Sequence, residues 1–160
     1  MKRIVLYASI TLMAGLALTN IYNSLVDAPN WGGNLPQSIE NARAYFSVSN
    51  PGDFYRIFSP ANQVLAILSL VLFWRSGKRV RLFLGFAVLV ALAGDALTFG
   101  YFYPRNAILF RADVRNNLAE IAEASRQWSS MNWVRSLLVG LGLVFQFLAL
   151  DQLVAPKAPA

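Results

Sequence analysis

Neither cysteine nor histidine occurs anywhere in the 160 residues. The first absence excludes disulfides, thiol redox chemistry, iron–sulfur ligation and thiolate metal sites. The second removes the commonest haem, copper and zinc ligand, together with the most frequent general base. Charge is also scarce. Only 14% of residues are Asp, Glu, Lys or Arg, where a soluble domain carries about a quarter. No phosphate-binding glycine loop, nucleophile elbow, internal repeat or low-complexity tract is present. What remains is apolar: 56% of the chain is hydrophobic and mean hydropathy is +0.45. Such a chain has too few polar groups to cover a soluble surface, which excludes a disordered segment, a nucleic-acid module and an ordinary soluble enzyme.

A membrane helix needs about 20 mostly apolar residues to cross a core of about 30 Å. Four stretches qualify, at residues 4–26, 57–75, 82–103 and 132–153. The first is longer than the apolar part of a signal peptide and lacks a small-residue cleavage site, so it reads as a span. Basic residues set the expected orientation. Lys2 and Arg3 precede span one, and Lys157 follows span four. Arg75, Lys78, Arg79 and Arg81 crowd an acid-free turn between spans two and three. The other two connections mix Arg43, Arg56, Arg105, Arg111, Arg115 and Arg126 with acids. Both termini and the basic turn are therefore expected inside, and the charge-balanced loops outside.

The two outer loops have helical signals of their own. Asn34 and Pro36 suit a helix start, and Ile39, Ala42 and Tyr45 or Phe46 give it an apolar face. Asn50-Pro51-Gly52 reads as a turn and Ser59-Pro60 as a further helix start. Val114, Leu118, Ile121 and Trp128 recur at helical spacing, which suggests an amphipathic helix lying on the membrane surface.

Polar residues at membrane depth carry the functional signal, because each is costly in hydrocarbon and turns inward. Asp95 lies about 12 Å inside the outer end of span three, and Arg135 lies near the outer end of span four. These two are the expected ion pair. Asn20, Asn23 and Asp27 share one face of span one, while Asn62 and Gln63 open span two. All collect toward the outer side, so a polar pocket above an apolar floor is expected. Gln146 stands apart as an interhelical hydrogen-bond donor, and Gly140 and Gly142 suit close helix approach. Phe99, Tyr101, Phe102, Tyr103, Trp128 and Trp133 fit an interfacial aromatic belt.

The Trp128-Ser-Ser-Met-Asn132-Trp-Val-Arg135 stretch leading into the last span resembles the small integral membrane proteins grouped with anthrone oxygenases. That family often carries Trp-x3-Asn/His-x2-Arg at this place, and Trp128, Asn132 and Arg135 fall on it. Asp95 and Phe102-Tyr103-Pro104-Arg105-Asn106 are similar to the family's third helix and its exit. The resemblance implies a cofactor-free oxidation of a polyketide anthrone to an anthraquinone.

The resulting expectation is an all-α, integral membrane four-helix bundle, a single domain over residues 1–160 with N- and C-termini inside. Asp95 would act as base and Arg135 would hold the resulting oxyanion. Asn20, Asn23, Asn132, Trp128 and Tyr103 would bind the ligand, with no metal and no cofactor. The partners expected are membrane lipids and a lipophilic aromatic or polyketide-like molecule, with a homo-oligomer or larger membrane complex also open and no nucleic acid. The setting expected is a bacterial inner membrane. The alternative is a non-catalytic accessory subunit whose polar residues only hold helices together.

Overall fold

The computed structural model describes residues 2–155; Lys157, counted above among the basic flanks, lies outside them. Among the described residues all regular structure is helical. Four helices are long and apolar enough to cross a membrane: α1 (Lys2–Gly32), α3 (Pro51–Leu72), α4 (Lys78–Arg111) and α5 (Leu118–Val154). A short helix, α2 (Gln37–Tyr45), joins the first two. α1 packs on α3, α3 on α4, α4 on α5 and α5 back on α1, so the long helices form a closed ring. Their outward faces carry Ile4, Leu18, Val71, Leu89 and Leu137, each more than 60% exposed or close to it. Large aliphatic side chains turned outward on every long helix suit a lipid solvent and not water.

Every span is longer at one end than its apolar pattern suggests. Prolines explain two of the extensions. α1 passes through a π-helical turn at Asn23–Asp27, where the Ala28 N–H donates to the Asn23 carbonyl, and Pro29 follows at once. α4 does the same at Thr98–Phe102, with Tyr103 donating to Thr98 just before Pro104. A proline lacks the N–H for the ordinary bond and collides with the carbonyl four residues back. A widened turn takes up both defects and lets the helix continue. Tyr103-Pro104 is thus not the end of the third span.

The remaining differences concern starts. Asn50-Pro51-Gly52 is a helix cap: Asn50 Oδ1 accepts from the Gly52 N–H at 2.8 Å, and Asp53 Oδ2 accepts from the Asn50 N–H at 3.0 Å. Pro51 sits at the first helical position, where its missing donor costs nothing. Ser59-Pro60 therefore lies inside α3 and starts no helix. Nor does a separate surface helix precede span four. Residues 118–154 form one rod of 37 residues, and Ile121 and Trp128 are buried against its neighbours. The helical spacing there was sound, but a protein surface covers that face.

α4 and α5, about 50 Å long at 1.5 Å per residue, outreach the hydrocarbon core. Their upper ends meet α1 and α2 in an apolar cap of Trp31, Ile39, Phe102, Leu109, Ile121 and Trp128. α2 is tied down by Arg43, whose guanidinium donates to the carbonyls of Leu109 (2.8 Å) and Ala112 (2.9 Å) at the end of α4. Ile39 faces the cap as its spacing suggests, whereas Tyr45 is 81% exposed. At the opposite end Leu6, Phe73, Val80, Leu84 and Ala149 form a second core. Among the residues of this second core, Gln146 Nε2 donates to Ser9 Oγ at 2.9 Å. A Cβ on Gly142 would sit 3.1 Å from Met13 Cε, so that glycine does mark a close crossing of α1 and α5. Gly140 meets nothing.

Candidate functional site

Beneath the apolar cap, at the end of the ring away from the Arg75–Arg81 turn, lies a cavity of about 730 Å³. Ligand pockets typically run from about 300 to 1,000 Å³. All four long helices contribute to its wall, and Arg43 and Phe46 close it from the side of α2.

The two π turns shape that wall. Asn23 belongs to one, and Thr98, Phe99 and Phe102 to the other. Each widened turn changes the facing of its residues relative to a regular helix, and Phe102, the last of its turn, faces inward and is 1% exposed. It is a cavity wall, not part of an interfacial belt. Trp128 is likewise internal at 5% exposure, and its indole N–H donates to Asn106 Oδ1 at 2.9 Å. Phe99, Tyr103 and Trp133 remain exposed, as an aromatic belt requires.

Arg135 dominates the electrostatics. It is 7% exposed, with its guanidinium carbon 4.0 Å from the Phe102 ring centre, 5.3 Å from Tyr55 and 5.7 Å from Trp128. Three aromatic faces thus surround the cation. Nη2 donates to Asn132 Oδ1 at 2.5 Å, and among the described residues Nε has no partner.

The expected Asp95–Arg135 ion pair does not form. Among the described residues the ion pairs are Arg56–Asp53 and Arg126–Glu123, both exposed. Asp95 faces α3 instead, accepting from Ser59 Oγ at 3.0 Å and from Gln63 Nε2. α4 packs against both α3 and α5, but Asp95 lies on the face of α4 turned to α3, where Ser59 and Gln63 supply neutral donors. Both residues nevertheless line the same cavity. A double-mutant cycle of Asp95→Asn and Arg135→Gln, read by thermal unfolding in detergent, is therefore expected to give a coupling below about 1 kcal/mol. A direct buried pair would show about 3–5 kcal/mol on losing one partner.

The other expected residues divide. Asn20, Asn23, Trp128 and Tyr103 line the cavity, Tyr103 at an exposed rim. Asn132 does not. It is fully buried behind the wall, where its amide donates to the Asn20 carbonyl (2.9 Å) and Ser24 Oγ (2.7 Å) of α1. Its role toward the cavity is to hold Arg135. With its amide turned to satisfy both neighbours, Asn23 accepts from the Tyr55 hydroxyl at 3.1 Å and donates to Asp27 Oδ2 at 2.8 Å. Tyr55 was missed from sequence, although Tyr55, Ser59, Asn62 and Gln63 recur at i, i+4, i+7 and i+8 and so mark one face of α3. Buried atoms of Asn20, Asn62, Trp31 and Arg135 around this cavity have no hydrogen-bond partner among the described residues.

Fold and site together define a multi-span membrane protein with a mixed aromatic and polar cavity at one end. Residues 54–145, more than half of the chain, match the family model for anthrone oxygenase, and the chain belongs to that family. The match takes in Tyr55, Asp95, Trp128, Asn132 and Arg135 but not the α1 wall with Asn20 and Asn23. No curated protein and no solved structure matches this chain.

Proposed function

We propose that the cavity binds a lipophilic aromatic, polyketide-like molecule bearing an acidic phenol or C–H, and that the protein is a cofactor-independent oxygenase for it. The observation that carries this reading is Arg135: a buried guanidinium framed by three aromatic faces, with no carboxylate of the described residues paired to it. A cation so placed favours a ligand that brings its own negative charge on a flat ring system. Family membership supplies the reaction class.

In this reading Asp95, held by Ser59 and Gln63, takes a proton from the acidic carbon. Arg135 holds the resulting enolate oxygen, and stabilisation of that oxyanion lowers the barrier. Dioxygen is the co-substrate. The enolate passes one electron to it, the two radicals combine to a peroxide anion, and the proton held by Asp95 returns to give a carbon hydroperoxide, which loses water to give the quinone. One oxygen atom ends in the product and the other in water. Asn20 and Asn23 orient the ligand, and Asn132 positions Arg135.

The assay is a dihydroxyanthrone supplied to the purified chain in lipid nanodiscs. Quinone is expected to appear with equimolar oxygen uptake and to stop without oxygen. Asp95→Asn is expected to slow it by about 10²–10⁴. Binding without turnover would make the protein a lipophile-binding one. Neither binding nor turnover would favour an accessory subunit, in which the Asn132 bonds to α1 serve only the fold.

The orientation belongs to the same proposal: both termini inside, the cavity toward the outer face of a bacterial inner membrane. The acid-free Arg75–Arg81 turn supports it. A topology reporter after Ser76 is expected to register cytoplasmic, and one within residues 112–117 external. The reverse pattern would put the cavity on the cytoplasmic side.

A further inference from the structure

At the end of the ring opposite the cavity, a groove of about 510 Å³ is lined by Lys2, Val71, Leu72, Trp74 and Arg75. It runs from the start of α1 to the residues just past α3, so it lies where the helices leave the hydrocarbon. One wall is aliphatic, from Val71 and Leu72. The other is cationic, from Lys2 and Arg75. Trp74 stands between them, half exposed, with the Arg81 guanidinium 5.0 Å over its ring. Arg3, Lys78 and Arg79 are exposed nearby in sequence. The only acid of the sequence at this end is Asp151, and among the described residues it pairs with none of these cations.

The geometry points to a binding site for one anionic phospholipid of the adjoining leaflet. Its phosphate would sit between Lys2 and Arg75, its ester region against Trp74, and its first methylenes along Val71 and Leu72. Three features select this occupant over a soluble anion. The aliphatic wall gives a free phosphate nothing to bury. The tryptophan is of the type that settles at headgroup depth. The positive charge is uncompensated, and a cation placed beside the phosphate favours binding by about fivefold. This inference stands apart from the oxygenase reading, since the groove and the cavity lie at opposite ends.

The test is native mass spectrometry of the protein released from nanodiscs of equal phosphatidylglycerol and phosphatidylcholine. One phosphatidylglycerol retained per chain is the expected result. Arg75→Gln and Lys2→Gln should each lower that retention by about fivefold, whereas Arg79→Gln, the same loss of charge outside the groove, should change it little. Equal retention of the two lipids would overturn the proposal. So would an Arg79→Gln effect as large as that of Arg75→Gln, which would indicate diffuse surface attraction. Displacement of the lipid by millimolar glycerol phosphate would also overturn it, by showing a small-anion site. The wild-type measurement needs no variant to fold.

Discussion

Arg135→Met is expected to abolish turnover of the aromatic ligand, by about 10²–10³, while leaving the thermal unfolding midpoint in detergent nearly unchanged. The two halves of this expectation have different origins. The first follows from removing the charge that meets the developing oxyanion. The second follows from what Arg135 lacks. Breaking a buried ion pair is severe because it strands the other charge, but here no carboxylate is stranded. The variant loses one hydrogen bond to Asn132 and the contacts with Phe102, Tyr55 and Trp128, about 1–3 kcal/mol each way of counting. It also escapes the desolvation cost of a buried guanidinium, which is several kcal/mol. Methionine fills much of the volume. A large fall in the midpoint with ligand binding intact would make Arg135 a structural residue and remove the central support for the proposed function.

Asn132→Leu is expected to behave in the opposite way, with a loss of stability of about 2–4 kcal/mol and a consequent loss of ligand binding. Asn132 is fully buried and uses both amide hydrogens and its oxygen, joining α1 to α5 and gripping Arg135. Leucine has similar volume but leaves the Asn20 carbonyl, the Ser24 hydroxyl and Arg135 Nη2 without partners. Unsatisfied buried groups cost about 1–3 kcal/mol each, although interhelical bonds in membranes come out at the low end. Comparing the unfolding midpoints of the two variants separates the residue that acts in the cavity from the one that holds it in place. Equal midpoints would show that the Asn132 network contributes nothing to helix association.

Much of this protein was legible one helix at a time. Four apolar stretches implied four spans, since backbone groups in lipid must be satisfied within the helix. Ile39 at helical spacing marked the inner face of α2. Gln146 and Gly142 announced a polar bond and a close crossing, and Ser9 and Met13 of α1 turned out to be their partners. Asp95, Arg135, Asn20 and Asn23 were each placed on an inward face near one end, and all four line the cavity. These features depend only on periodicity and on the cost of a polar group in hydrocarbon.

The sequence alone could not say which neighbour each inward face of a helix meets, and the chemistry of the site turns on that. α4 stands between α3 and α5, but the face that carries Asp95 turns to α3, so Asp95 finds Ser59 and Gln63 while Arg135 is left to Asn132 and the aromatic faces. Charge complementarity pairs Asp95 with Arg135 on paper, but contact requires adjacent faces at one height. Phe102 and Trp128 read as surface aromatics until a widened turn and a covering α2 made them internal. The apolar pattern ends spans one and three at residues 26 and 103, yet each helix continues through the proline just beyond, Pro29 or Pro104, by way of a widened turn. Periodicity records which face of a helix avoids lipid or water, whereas the identity of the surface that covers that face is a property of the assembled helices.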